Sequence, residues 1–310
     1  MTTKCSLIID SCCDLPREVV SVDDVYLLGF SYNNQSGSHK DDMYESLTAH
    51  DFFDAMREGD EPTTSQVSPG EFIEMFQTVY EKGMPAVLLS FSSALSGSYQ
   101  AACMAAEQVK EEHPDFEIYV VDSKLASVAE GLLVYEAIRQ QQNGMSAKEL
   151  AEWAEEALYY VHGYFMVSDL ESLHRGGRIP ASVAIVGSKL DAKPLLGFGL
   201  DGSLALVGVA RGRKKGMKAL IDYFERNREE QAEGGTVLIG NADCPKDVQR
   251  LADLLDKTDE DAVVLECSIG PVIGCHVGPD MLAIVFWGKD RRETVSVVDR
   301  IANKVKRNRS

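Results

Sequence analysis

One recurring unit limits what this chain can fold into: a short apolar run ends in Ser or Asp and hands over to an amphipathic helix. Ser6-Leu7-Ile8-Ile9 leads into Asp10-Ser11-Cys12-Cys13-Asp14-Leu15-Pro16. Residues 86–89 lead into a serine-rich turn, 90–98, and a helical stretch through Val109. Residues 118–121 lead into Asp122-Ser123 and a helix from Ala126 to Gln141, closed by Asn143-Gly144. Strands alternating with helices of this length predict a parallel sheet. Ligands of such sheets bind beyond the carboxyl ends of the strands, where these turns fall. Between the units, Ser68 with Glu71 three residues on is a capping box, and Pro69 suits a first helical position. A helix is predicted to start there, which leaves Thr63, Thr64, Ser65 and Gln66 without a structural duty.

The pattern changes near residue 160. A helix over about 146–160 gives way to a strand at 164–167, then to a hairpin over 194–209 turning at Asp201-Gly202, a strong hairpin signal. A basic helix start follows at 210–216, with the helix running to about Glu230. Next come a strand (236–240), a helix (246–256), a strand (262–265), a Gly-rich loop (269–279) and a last strand (282–287). A length of 310 residues suits two compact domains. The expected organisation is an N-terminal parallel-sheet α/β domain (1–160) and a C-terminal mixed α/β domain with a β-hairpin (161–288). A charged extension (289–310) closes the chain, with weak helical spacing at Val298, Ile301 and Val305.

Several function classes are disfavoured. A net charge of −18 argues against nucleic acid as a partner, because counterion release needs clustered cations. The first apolar run is too short for a signal peptide, and no stretch approaches the length of a membrane span. Seven scattered cysteines without a CxxC pair suggest reduced thiols and a cytoplasmic location. Gly197-Phe198-Gly199-Leu200-Asp201-Gly202 spells GxGxxG, but a hairpin turn follows where a dinucleotide site needs a helix start. Phosphate-loop, zincin and GxSxG signatures are missing from the sequence.

The hydroxyl clusters carry the chemical signal: Thr63, Thr64 and Ser65; then Ser90, Ser92, Ser93, Ser96 and Ser98 around Gly97; then Ser123 and Ser127. One such residue is usually a helix cap. Several of them together with free helix-start amides form a donor-rich cup for a carboxylate or phosphate. The clusters lack Asp/His ligand spacing, so no metal is expected. His276 sits among glycines and prolines, where an imidazole could face a cleft and orient a hydroxyl. Arg175 and Arg178 flank Gly176-Gly177, and Arg211, Arg213, Lys214 and Lys215 form a basic knot. Cations at a helix start oppose the macrodipole unless they have an anionic partner.

These segments, in order along most of the chain, resemble the DegV family. The matching residues are Asp10-Ser11 with Asp14-Leu15-Pro16, Thr64-Ser65-Gln66 with Ser68-Pro69, and the stretch Ser92 to Gln100. Asp122-Ser123, Arg175-Gly176-Gly177-Arg178-Ile179, Arg211 to Lys215 and Ile269 to Pro279 follow. The resemblance implies a two-domain EDD fold that holds one long-chain fatty acid between its domains, with no other cofactor. On the matching positions, Thr64 and Ser96 would bond the carboxylate beside His276, with Ser65, Ser93 and the Gly97 amide as helpers; on energetic grounds two or three such donors can hold the head group without a buried cation. A separate ATP-dependent fatty acid kinase subunit would phosphorylate the bound acid for phospholipid synthesis, facing Arg175, Arg211 or Arg213. The resemblance also admits transient membrane contact. Two departures are Cys275 with Val277, where the family usually has Thr beside the His, and the atypically polar segment Ser31 to Asp42; the charged extension after Trp287 is also outside the usual pattern.

The energetics of such a site are coherent. About 14 methylenes at roughly 0.8 kcal/mol each supply on the order of 11 kcal/mol before ordering costs. Hydrogen bonds to a buried carboxylate return about 1.5–3 kcal/mol each. The rival expectation is an enzyme, a serine-centred hydrolase or phosphoryl transferase with Ser93 or Ser96 as nucleophile and His276 as base. A third is a sensor or scaffold that uses the basic knot.

Overall fold

A computed structural model describes residues 3–180, 191–229 and 235–293. The expected tail helix around Val298 and the end of the basic helix at Glu230 lie outside these residues. The first half opens with β1 (Ser6–Asp10), a 3-10 turn at Ser11–Cys13 and a short helix α1 (Arg17–Val20). After β2 (Val25–Leu28) come the hairpin strands β3 (Ser31–Asn34) and β4 (Gly37–Lys40), then α2 (Ala49–Arg57) and β5 (Thr63–Ser65). The strand–helix units follow as α3 (Pro69–Tyr80), β6 (Ala86–Ser90), α4 (Ser98–Glu112) and β7 (Ile118–Asp122). Two helices, α5 (Val128–Gln142) and α6 (Ala147–Ala157), end this half.

The second half contains β8 (Val161–Met166), α7 (Glu171–Arg175) and the hairpin β9 (Ala192–Phe198) and β10 (Leu204–Arg211). Then come α8 (Arg213–Asn227), β11 (Thr236–Asn241), α9 (Pro245–Asp256) and β12 (Val263–Ser268). The last elements are α10 (Pro271–Val277) and β13 (Leu282–Trp287).

The expected parallel sheet forms in the order β2-β1-β6-β7, with every pairing parallel. Its central strand β1 is buried at all five positions, as a strand covered on both faces should be. The second sheet is mixed, in the order β10-β9-β8-β13-β11-β12. Helix α5 touches both sheets, packing against β1 on one side and β8, β11 and β13 on the other. It is buried almost all round, including Leu132, Leu133 and Val134, as an interior helix must be. One apolar cluster therefore runs from Ile8 through α5 to Val285, and a second lies beyond the mixed sheet under α8 and α9. The expected capping box Ser68–Glu71 is formed, and a second one is found at Ser146–Glu149. Among the described residues, no helix is long and apolar enough to cross a membrane.

Two elements depart from the sequence reading. The segment 269–279 is not a continuous loop: Pro271 takes the first helical position, where its missing N–H costs nothing, and Gly278 ends the turn at φ +70°. The small sheet β4-β3-β5 is absent from the sequence pattern because its strands are polar. Only Tyr32 of β3 is buried.

Candidate functional site

A cavity of about 230 Å³ lies between the N-terminal end of α5, the β8 and β13 face of the mixed sheet, and the turns that follow β5 and β6. Its wall is mostly apolar, with Phe30, Phe91, Val128, Phe165, Phe198, Ile273 and Val285 among the lining residues. The polar side chains Thr64, Gln66, Ser96, Arg178 and His276 also line it, and their contacts gather them at one end.

Thr64 is placed by strand alternation. β5 pairs with β3 so that Thr64 lies opposite the buried Tyr32. Its neighbours Thr63 and Ser65 point the other way and are exposed. His276 is placed by α10, which packs on β3, β5 and α7. The start of α10 is pinned across the molecule by Asp14, whose carboxylate accepts the Gly270 N–H at 2.9 Å. The two meet with Thr64 Oγ1 2.9 Å from His276 Nε2. Gly176 lies so close to the ring that any side chain there would collide with Nδ1.

Burial pushes the His276 pKa down to about 4, and the cations of Arg178 and Arg175 add to the shift. The imidazole is therefore neutral near pH 7. With its proton on Nε2, the ring donates to Thr64 Oγ1 and leaves the threonine hydroxyl proton free for a guest. The buried Nδ1, which has no hydrogen-bond partner among the described residues, then carries only a lone pair.

The opposite lip comes from the β6–α4 turn. Ser96 Oγ accepts the Ser98 N–H at 3.2 Å, and Gly97 is the N-cap of α4 with no side-chain cap. The positive end of a fifteen-residue helix thus opens beside the cavity. Arg178 completes the ring: its Nε donates to the Leu95 carbonyl at 3.1 Å and NH1 to the Gly176 carbonyl. The half-buried guanidinium corrects the expectation of a cup without a cation. The signal for it was present in Arg175-Gly176-Gly177-Arg178, but spacing alone does not tell which arginine turns inward. Gln66, likewise left without a role, lines the same end.

Other expected residues lie elsewhere. Ser93 does not line the cavity; its hydroxyl donates to Asp122 at 2.6 Å and its N–H to the same carboxylate at 3.0 Å. Ser65 faces outward for the alternation reason given above. His276 contacts Thr64 rather than Ser93 or Ser96, so the nucleophile–base pair of the enzyme reading is not assembled in this structure. Arg175 is exposed and pairs with Glu61 at 3.0 Å. Arg211 ends β10 with its side chain exposed. Arg213 is engaged internally by Asp247 and by the Asp280 carbonyl, the latter at 2.7 Å.

Behind the cavity lie four buried carboxyl groups, Asp10, Asp14, Asp41 and Glu130. Asp10 accepts the N–H groups of Cys12 (3.0 Å) and Phe91 (2.9 Å), yet burial pushes its pKa up to about 7. Burial raises Asp41 to about 6, and Asp14 and Glu130 are raised well above the usual carboxylate range. Burial also raises the adjacent thiols Cys12 and Cys13, which keeps them protonated. Among the described residues, no group of His, Cys, Asp and Glu is arranged to hold a metal ion.

The fold and cavity define an α/β protein with two large sheets and one small one, and with an internal chamber that is mostly apolar in its wall and polar at one end. A family model described as an uncharacterised protein of the DegV family matches residues 4–289, and the chain belongs to that family. A DegV domain-containing protein of Clostridium perfringens is 37% identical over 288 residues, 92% of this chain and 98% of that one. Among solved structures, a fatty-acid-binding DegV family protein of Thermus thermophilus is 28% identical with a TM-score of 0.80, covering 92% of this chain and all (100%) of its own. A stearic acid-binding protein of Eubacterium ventriosum is 25% identical, also at 0.80, covering 94% of this chain and 100% of its own.

Proposed function

We propose that this protein is a non-catalytic carrier that encloses one long-chain fatty acid and presents its carboxylate to a separate ATP-dependent kinase subunit. The observation that carries the reading is the convergence of Thr64, Ser96, His276 and Arg178 at one end of a mostly apolar cavity. A carboxylate there would meet the Thr64 and Ser96 hydroxyls, the start of α4 and the Arg178 guanidinium, each returning about 1.5–3 kcal/mol against desolvation. The neutral His276 fixes Thr64 and adds no charge of its own. The fatty-acid-binding relatives, similar over more than nine-tenths of the chain, support the same ligand. Exposed Arg175 and Arg211 remain the candidate kinase contacts, whereas Arg213 is committed to Asp247.

Native mass spectrometry of protein purified from cells should show the added mass of one fatty acid. A protein that is consistently empty and takes up no such acid would refute the carrier. Arg211→Ala should leave acid binding intact while slowing acyl-phosphate formation by the kinase. Equal loss of both would put Arg211 in the binding site instead.

A further inference from the structure

The cavity has a second end, and its construction is independent of the polar one. Alternate residues Met281, Ala283 and Val285 face it from the start and body of β13. Met281 follows His276, a polar-end residue, by only five positions. Val285 is four residues further along, about 13 Å at the usual rise of a strand. At that level Val285 pairs with Gly163 of β8, and the β8–β9 register carries Phe198 to the same level. The Phe198 ring lies over Gly163: a methyl group on Gly163 would come within 2.9 Å of its Cε2. Gly163 thus makes the room that Phe198 occupies.

Phe198 is held from outside the cavity. Arg291, almost fully buried, donates from NH1 to the Phe198 carbonyl at 3.2 Å and from NH2 to the Leu158 carbonyl at 3.3 Å. The segment that carries Arg291 is itself strapped down, with Gly288 N–H on Tyr160, Arg291 N–H on Tyr159 and the Arg292 guanidinium on Glu156. The tip of the same hairpin is fixed to the first half, where Ser92 Oγ donates to the Gly202 carbonyl at 3.0 Å.

We infer that Phe198 is the tail stop of the cavity, selecting among aliphatic acids by length, and that Arg291 is its positioning residue. This rests on the fatty-acid reading above. Truncating the ring opens space beyond Val285, and filling Gly163 drives the ring inward. The two changes therefore shift preference in opposite directions.

The test is competition of myristic, palmitic, stearic and arachidic acids for each purified variant, read by native mass spectrometry. Phe198→Ala should raise the ratio of long to short acids about tenfold, the scale expected for a methylene or two in an apolar pocket. Gly163→Ala should lower it. Arg291→Met should broaden the distribution, with Arg291→Lys partly restoring the wild-type profile. A purely structural role for Arg291 would instead change total occupancy and leave the ranking alone. Acids bound by all variants in an unchanged ranking would overturn the tail stop and leave the carrier standing. No acid bound by the wild type would overturn the carrier itself.

Discussion

The two ends of the cavity are built by different rules. The polar end is gathered from four separate segments: β5 with the residue after it, the β6–α4 turn, the stretch after α7, and α10. Each side chain there is oriented by its own local device, such as strand alternation at Thr64 or the approach of Gly176 to His276. The apolar end comes from the register of adjacent strands, so Gly163, Phe198 and Val285 reach one level together. Changes at the polar end should weaken all acids alike, because they touch the shared carboxylate. Changes at the apolar end should re-rank them.

The largest effect should come from Arg178→Leu, which removes the guanidinium from the buried end. Affinity should fall by about 3 kcal/mol, the upper range for a hydrogen bond to a charged group. Isothermal titration with palmitic and stearic acids should give the same loss for both. A loss for one acid only would break the division between the ends.

Burial raises the pKa values of the carboxyl groups in the wall behind the polar end, and this gives the next effect. Asp10 has a folded pKa of about 7, above its unfolded value, so the stability it contributes is full at acidic pH and is lost as pH rises toward 7. Relative to Asp10→Asn, the wild type should lose about 2–3 kcal/mol between pH 5 and pH 8. Thermal melts of both proteins across that range measure the difference, and referencing to Asp10→Asn removes the contributions of His276 and His162. A constant difference would mean that Asp10 is charged throughout.

Thr64→Val keeps the shape of the side chain and removes its donor, so binding should weaken by about 1.5 kcal/mol for every acid. The smallest effects belong to the residues turned away from the cavity. Ser65→Ala and Ser93→Ala should change acid affinity by less than about 0.5 kcal/mol. Ser93→Ala should instead lower the melting temperature, because Asp122 loses a hydrogen bond.

Much of this was legible in the sequence. The parallel sheet, the hairpin and the helix starts follow from patterns that act over a few residues, such as the capping box at Ser68 and the apolar run Leu7-Ile8-Ile9 of β1. The polar strands β3 to β5 were not legible, because a strand without apolar alternation gains its place only by pairing. The hydroxyl clusters and His276 stood out because no structural duty explained them all, and the family resemblance singled out Thr64 and Ser96 among them. Ser93 looked the same and went to Asp122, a choice made by a residue twenty-nine positions away.

The division has one physical cause. Hydrophobic periodicity, caps and turn residues are local energies, and they determined which segments become strands and helices and which turns carry polar groups. Which of Arg175 and Arg178 faces inward, and that Phe198 closes the far end, depend on contacts between distant segments, some of them more than a hundred residues apart. Those contacts exist only after the two sheets have closed on α5, so the tertiary structure alone decided them.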